Sequence, residues 1–259
     1  MNQPLATAQY NTTPGSHHEA IATTRYTKAI DTTGWLRVKL EPSGANAYLC
    51  EFVKVIITKE DARTHFMIME GPDKGKMASL AKENAAKCLV SVTRGTGAKI
   101  VAKIIGRKGM ISVPRGDNKV LNQLQATLTF NGQTATITLD SDVQYQESNP
   151  VSPQFRQVLH SKPLPKGTYK ILAPENPKDK NMTAFYATNP GGYPDLKYDT
   201  VWFPIENPAT HNSNFVHVGN LSEGCVTMYE LKMWNPLYLY LISNRMDKDG
   251  KYVGTVTIE

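Results

Sequence analysis

The chain has 259 residues, 40% of them hydrophobic and 20% charged, which is enough for one large or two modest domains around a real core. Its net charge of +6 comes from scattered Lys and Arg, with no basic run and no aromatic-basic motif, which argues against nucleic acid as the partner. No stretch approaches the apolar length of a membrane span, which excludes a helical membrane anchor in this sequence.

Residues 1–33 are polar, rich in Thr, His and small side chains, and lack periodicity, so they read as a flexible arm. His17-His18 in that arm reads as a surface pair, not a metal site. The opening residues show no basic n-region followed by an apolar h-region, so no signal peptide is expected.

From Trp35 to Val113 the pattern is strand-like. Leu36, Val38 and Leu40 alternate with polar neighbours, and Tyr48–Thr58, His65–Met69, Leu89–Val92, Ile100–Ile105 and Met110–Val113 follow. Glu41-Pro-Ser-Gly44 and Gly106-Arg-Lys-Gly109 read as turns between them. Only residues 75–88 look helical. Gly71-Pro-Asp-Lys-Gly75-Lys76 lacks the length and the Ser/Thr of a phosphate loop and reads as a turn. The expectation for 34–115 is a small accessory β-barrel or sandwich that carries no chemistry.

Pro114-Arg-Gly-Asp-Asn118 marks the expected boundary, with a second domain over 116–259. A chain starting near Asp117 should then keep some chemistry. Leu124, Ala126, Leu128 and Phe130 alternate up to Asn131-Gly132, and Ala135, Ile137 and Leu139 alternate after it. Asn-Gly between two such runs predicts a hairpin. Pro163–Ile171 is a Pro/Gly turn leading into a strand. Residues 173–200 are dense in Pro, Asn, Gly and Tyr, and a loop of that length is often functional. Lys197, Tyr198 and Trp202 are its candidates for holding a substrate.

The chemistry is concentrated in 210–229, above all in His217-x-Gly219-x-x-Ser222-x-Gly224-Cys225-Val226. A thiol attacks as the thiolate, so Cys225 needs a base, and His217 is close by in sequence. Gly224 keeps bulk away, and main-chain N–H groups at Gly224 and Cys225 can hold an oxyanion. Ser222 is expected to orient His217, with Gly219 and Asn220 as substrate contacts. His211 lies too far along the strand to replace His217. Thr227-x-x-Glu230 reads as a capping box, so a helix should start behind Cys225 and lower the thiol pKa. Asn235-Pro236 opens a second helix over Leu237–Ser243, and Tyr252–Ile258 closes the chain as a strand. Asp247-Lys-Asp-Gly250 lacks the ligand spacing of a calcium loop. Cys50 and Cys88 are either one disulfide or two unrelated core thiols.

This stretch resembles the signature of the L,D-transpeptidases, in which His-Gly is followed by Ser-x-Gly-Cys and an aliphatic residue. Pro163–Ile171 resembles the segment upstream of that motif. Here a Val stands between His217 and Gly219, the gap to Ser222 is shorter, and Thr227 stands where Arg or Asn is usual. The resemblance implies a mostly β protein with an L,D-transpeptidase-like catalytic domain. It implies acyl transfer on peptidoglycan stem peptides through a Cys225 thioester, without cofactor or metal, as exchange, carboxypeptidase or cross-linking chemistry. The alternatives are a secreted antibacterial effector with the same chemistry, met by an immunity partner, and a non-catalytic wall-binding protein. A wall substrate places the protein in the periplasm or cell envelope, or outside the cell. Either a leader has been removed, or secretion machinery exports the chain whole.

Overall fold

In the computed structural model, which describes residues 23–111, 119–210, 212–246 and 249–259, the protein is mostly β, with 45% strand and 13% helix. The first sheet holds β1 (Thr23–Thr27), β2 (Trp35–Glu41), β3 (Asn46–Cys50), β4 (Lys54–Glu60), β5 (Arg63–Ile68), β6 (Met77–Ala81) and β7 (Leu89–Val90), in the order β3-β2-β6-β5-β4-β1-β7. β1 pairs with both β4 and β7, so part of the stretch read as an arm is built into this sheet. His17-His18 lies outside the described residues.

Residues 75–88, read as helical, divide between β6 and helix α1 (Lys82–Cys88). β6 fills the slot between β2 and β5, and sheet pairing on both sides overrides its helix-tolerant sequence. The turn expected at 71–76 is present, closed by Lys74 N–H to Gly71 O at 3.1 Å.

β8 (Ala98–Ile111) is one long strand, not two strands around a turn. The backbone passes Gly106 at φ +141° with a register shift against its neighbour, so Gly106 makes a bulge where the sequence suggested a turn, and Gly109 pairs regularly. β8 pairs with β9 (Val120–Phe130), and β9 turns through Asn131-Gly132 into β10 (Gln133–Asp140) as predicted. Both turn residues have positive φ, at +44° and +72°, the requirement that selects Asn-Gly. The change of sheet therefore falls between Val90 and Ala98. The boundary segment proposed at 114–118 lies outside the described residues, but β8 before it already belongs to the second sheet.

A separate hairpin of β11 (Gln144–Gln146) and β12 (Val158–His160) precedes β13 (Gly167–Leu172). Helix α2 (Phe185–Thr188), β14 (Phe203–Pro204), β15 (Phe215–Val218), β16 (Glu223–Met228), helix α3 (Trp234–Ser243) and β17 (Tyr252–Ile258) complete the chain. The second sheet runs β13-β17-β8-β9-β10-β16-β15-β14. Its end strands approach each other through an Ile171–Ile205 bridge and a Glu206 N–H to Lys170 O bond of 2.8 Å, so the sheet is a nearly closed barrel.

One continuous core joins the two sheets. α3 buries Trp234, Leu237, Tyr238, Leu241 and Ile242, spaced i, i+3, i+4, i+7 and i+8, as one apolar face. Polar anchors cross the same junction. Tyr238 Oη donates to Glu51 Oε2 at 2.9 Å. Arg94 makes paired bonds of 2.7 and 2.8 Å to Glu70. Arg245, almost wholly buried, donates to Gly250 O at 2.7 Å and to Cys50 Sγ at 3.1 Å. Cys50 and Cys88 are free buried thiols, which settles the alternative left open above in favour of two separate core cysteines.

Candidate functional site

β15 and β16 are adjacent and parallel, with Val216 opposite Val226 and His217 opposite Thr227. Side chains alternate faces along a strand, so Phe215 and His217 project to the same side as Cys225 and Thr227. His217 and Cys225 both line one cleft of about 660 Å³. They are diagonal neighbours, a relation that spans roughly 7–8 Å at Cα and less between side chains.

The connection between the two strands is short. Parallel neighbours usually need a crossover of a dozen residues or more, whereas here residues 219–222 make the return alone. Val218 is level with Met228, and Met228 and Glu223 pair with Ile137 and Asp140, so five steps of β16 stand against three of β10 across a bulge and descend only about 10 Å. The return at 219–222 covers that descent with length to spare, since five peptide steps reach up to about 18 Å. Buried polar groups hold it. Gln123 Nε2 donates to Asn220 O at 2.7 Å, Tyr186 Oη to Asn220 Oδ1 at 2.9 Å, and Ser222 N–H to Ser141 Oγ at 2.9 Å.

His217 is 6% exposed. Its Nδ1 lies 2.8 Å from Val218 O, and a carbonyl only accepts, so Nδ1 carries the proton. Nε2 is then the acceptor, and the Thr227 hydroxyl donates to it at 3.1 Å. Both ring nitrogens are thus engaged by groups other than the thiol. Trp202 stacks on the imidazole, with centroids 4.1 Å apart and planes 21° apart. Burial pushes the imidazole down to about 4, against a raising effect of the Val218 bond, with the Lys178 charge adding to the depression. The ring is neutral at pH 7.

Cys225 is partly accessible at the cleft. Burial pushes its thiol up to about 11, opposed by the Phe215 main-chain bond, raised further by Glu223 and lowered by Lys178. The helix expected behind it is absent. Thr227 lies in β16, which β10 and β15 flank, and Glu230 accepts from Thr136 N–H at 3.1 Å instead of capping. The run Cys-Val-Thr-Met is half β-branched and satisfies its main chain in the sheet, so no helix dipole acts on the sulfur.

Ser222 does not reach His217. Its hydroxyl donates to Cys225 O at 2.7 Å and shapes the turn before the cysteine. Gly224 adopts φ +98°, and a Cβ there would meet Lys162 O at 2.6 Å. Gly219 sits against Thr227 and Tyr186, and Asn220 is buried against Tyr186 and Gln123, so both serve the scaffold more than a ligand. Lys197 is exposed beside Asn235, and Tyr198 stacks on Tyr238 at 3.9 Å, so neither lines the cleft. Trp202 does. His211, Asp247 and Lys248 lie outside the described residues.

The sequence reading missed the opposite wall, formed by Asn181, Met182, Phe185 and Tyr186 of the segment first read as loop. It also missed Lys178, whose ammonium lies 4.3 Å from the Phe215 ring centroid and 5.5 Å from that of Trp202. Tyr and Phe spaced by one in a Pro/Asn-rich segment were the available signal. Comparison of the chain with protein-family models, curated proteins and solved structures finds no match.

Proposed function

We propose that the protein is a cysteine acyltransferase or peptidase acting on peptidoglycan stem peptides. The observation that carries this reading is the shared cleft of Cys225 and His217, with the base oriented by the Val218 carbonyl. Nucleophile, base and orienting group is the arrangement that activates a thiol. In the resting protein the thiol is protonated and the ring neutral. The S–H proton passes to Nε2 as sulfur bonds to the carbonyl carbon, and the Nε2–Thr227 bond gives way at that step. The imidazolium then protonates the departing amine, and a thioester remains. Water or an acceptor amine attacks the thioester, its proton goes to Nε2, and the thiol is restored. Main-chain N–H groups at Gly224 and Cys225 are assigned to the oxyanion.

Thr227 is engaged with His217 and offers no cation to a substrate carboxylate, so the outcome leans to hydrolysis or D-amino acid exchange over cross-linking. This chemistry suits a cell-envelope enzyme or an exported antibacterial effector. The test is mass spectrometry of tetrapeptide muropeptides incubated with the protein and an added D-amino acid. Tripeptides or exchanged tetrapeptides are expected, and Cys225→Ala should abolish them while keeping the melting temperature. Unchanged substrate masses, or equal activity in Cys225→Ala, would sink the reading.

One observation favours a wall-binding protein with an inert thiol instead: the burial that holds Cys225 protonated. Native-state alkylation separates the two. Iodoacetamide should label Cys225 ahead of Cys50 and Cys88, and a Cys225 as resistant as those two would favour the binding protein.

A further inference from the structure

Beside the Cys225 cleft lies a second one of about 320 Å³, and the two share Trp202 and Phe215 as a common wall. Leu172 and Pro204 supply apolar surface to the second cleft, and two opposite charges, Lys178 and Glu175, line it. Among the described residues neither charge has an ion-pair partner. Lys178 is held from below by the faces of Phe215 and Trp202, and its main-chain N–H is fixed to Thr200 O at 2.9 Å. Rings under an ammonium stabilise it without using its N–H donors on a carboxylate. Trp202 contacts both this ammonium, 5.5 Å from its centroid, and the His217 ring. The second cleft therefore presents a cation, an anion and a short apolar floor, one aromatic ring away from the base.

We propose that this second cleft is a subsite for the zwitterionic head group of an α-amino acid, its carboxylate on Lys178 and its ammonium facing Glu175. A bare carboxylate or phosphate would meet Lys178 but be repelled by Glu175. A neutral peptide bond would leave both charges unanswered. A free amino-acid end answers both, with a small side chain on Leu172 and Pro204. The inference rests on the acyl-transfer reading for the site's purpose, which is to hold the free amino acid that enters in exchange. The binding itself does not require the thiol.

The test is a titration of ¹⁵N-labelled Cys225→Ala protein with D-alanine, following the Trp202 indole N–H signal. A saturable shift is expected. It should weaken at least roughly tenfold with N-acetyl-D-alanine, with D-alanine amide, and with D-alanine on the added Lys178→Met change, as expected for loss of one charged hydrogen bond. Glu175→Gln, at an exposed position, should weaken D-alanine and leave N-acetyl-D-alanine unaffected or tighter. No saturable shift, equal binding of the N-acetyl form to the parent, or undiminished binding to a folded Lys178→Met protein would overturn the proposal. Because the thiol is absent throughout, a failure here leaves the muropeptide result standing, and the reverse also holds.

Discussion

His217 makes two hydrogen bonds that act on its proton in opposite directions. Donation to Val218 O is kept when the ring is protonated, whereas acceptance from Thr227 is possible only for the neutral ring. Burial outweighs the Val218 bond, leaving the folded-state value near 4 against 6.5 for an exposed histidine. The unfolded chain therefore binds more protons below pH 6.5. The stabilising contribution is complete above that pH and is lost as pH falls toward 4. A drop of that size corresponds to at most about 3 kcal/mol. Denaturant midpoints between pH 7.5 and 4.5 should fall more steeply for the parent than for His217→Gln, and parallel curves would contradict the buried neutral ring. Thr227→Val removes the donor to Nε2 and so should raise the imidazole pKa, read from ¹⁵N ring shifts. It should cost about 1 kcal/mol, the usual worth of one hydrogen bond.

Strand β16 shows where residue patterns mislead. Thr227-x-x-Glu230 has the spacing of a helix cap, yet Thr227 and Met228 stay in the sheet, because β10 on one side and β15 on the other pair with both. A capping box is a local signal, and partners brought from about 90 residues away, such as Thr136, are invisible to it. By contrast, Asn131-Gly132 was legible because the positive φ values are a local demand. The pairing of His217 with Cys225 on one face was half legible. Their proximity in sequence suggested it, but face-sharing depends on a parallel register that no short motif encodes. Lys178 was not legible, and Phe185 and Tyr186 only as aromatics in a polar segment, since all three join the site through the path of the segment before β14. Gly224 is where the local and the tertiary demands meet. Gly224→Ala should lose about 1–3 kcal/mol from its left-handed backbone alone, with further loss from the Lys162 carbonyl. A denaturant midpoint equal to the parent's would refute that.

For the whole molecule, the two sheets share one core, and the expectation is that they unfold together. A fragment starting at residue 117 would lack β8, the neighbour of both β9 and β17. It would also lack Glu51, the acceptor of the buried Tyr238 hydroxyl, and the Cys50 and Glu70 groups around buried Arg245. A buried charge stripped of its partners costs about 3–5 kcal/mol. The fragment should therefore be insoluble or unfolded, as judged by its amide dispersion, contrary to what an independent second domain would give. A soluble, dispersed fragment would show that the junction is dispensable.

The hydrogen-bonded return from β15 to β16 makes the eight-residue interval between His217 and Cys225 a ruler. Asn220 and Ser222 are tied to Gln123, Tyr186 and Ser141, so a residue lost at 219–222 would break those bonds or drag β16 along its neighbours. A slip of one position turns every odd-numbered side chain of that strand to the other side of the sheet. Cys225 would then leave the imidazole's face altogether, and Val226 would take its place. An added residue would instead bow the return outward and loosen the hold on Asn220 and Ser222. Sequence drift in this protein should therefore appear as substitution at those four positions and not as change in their number.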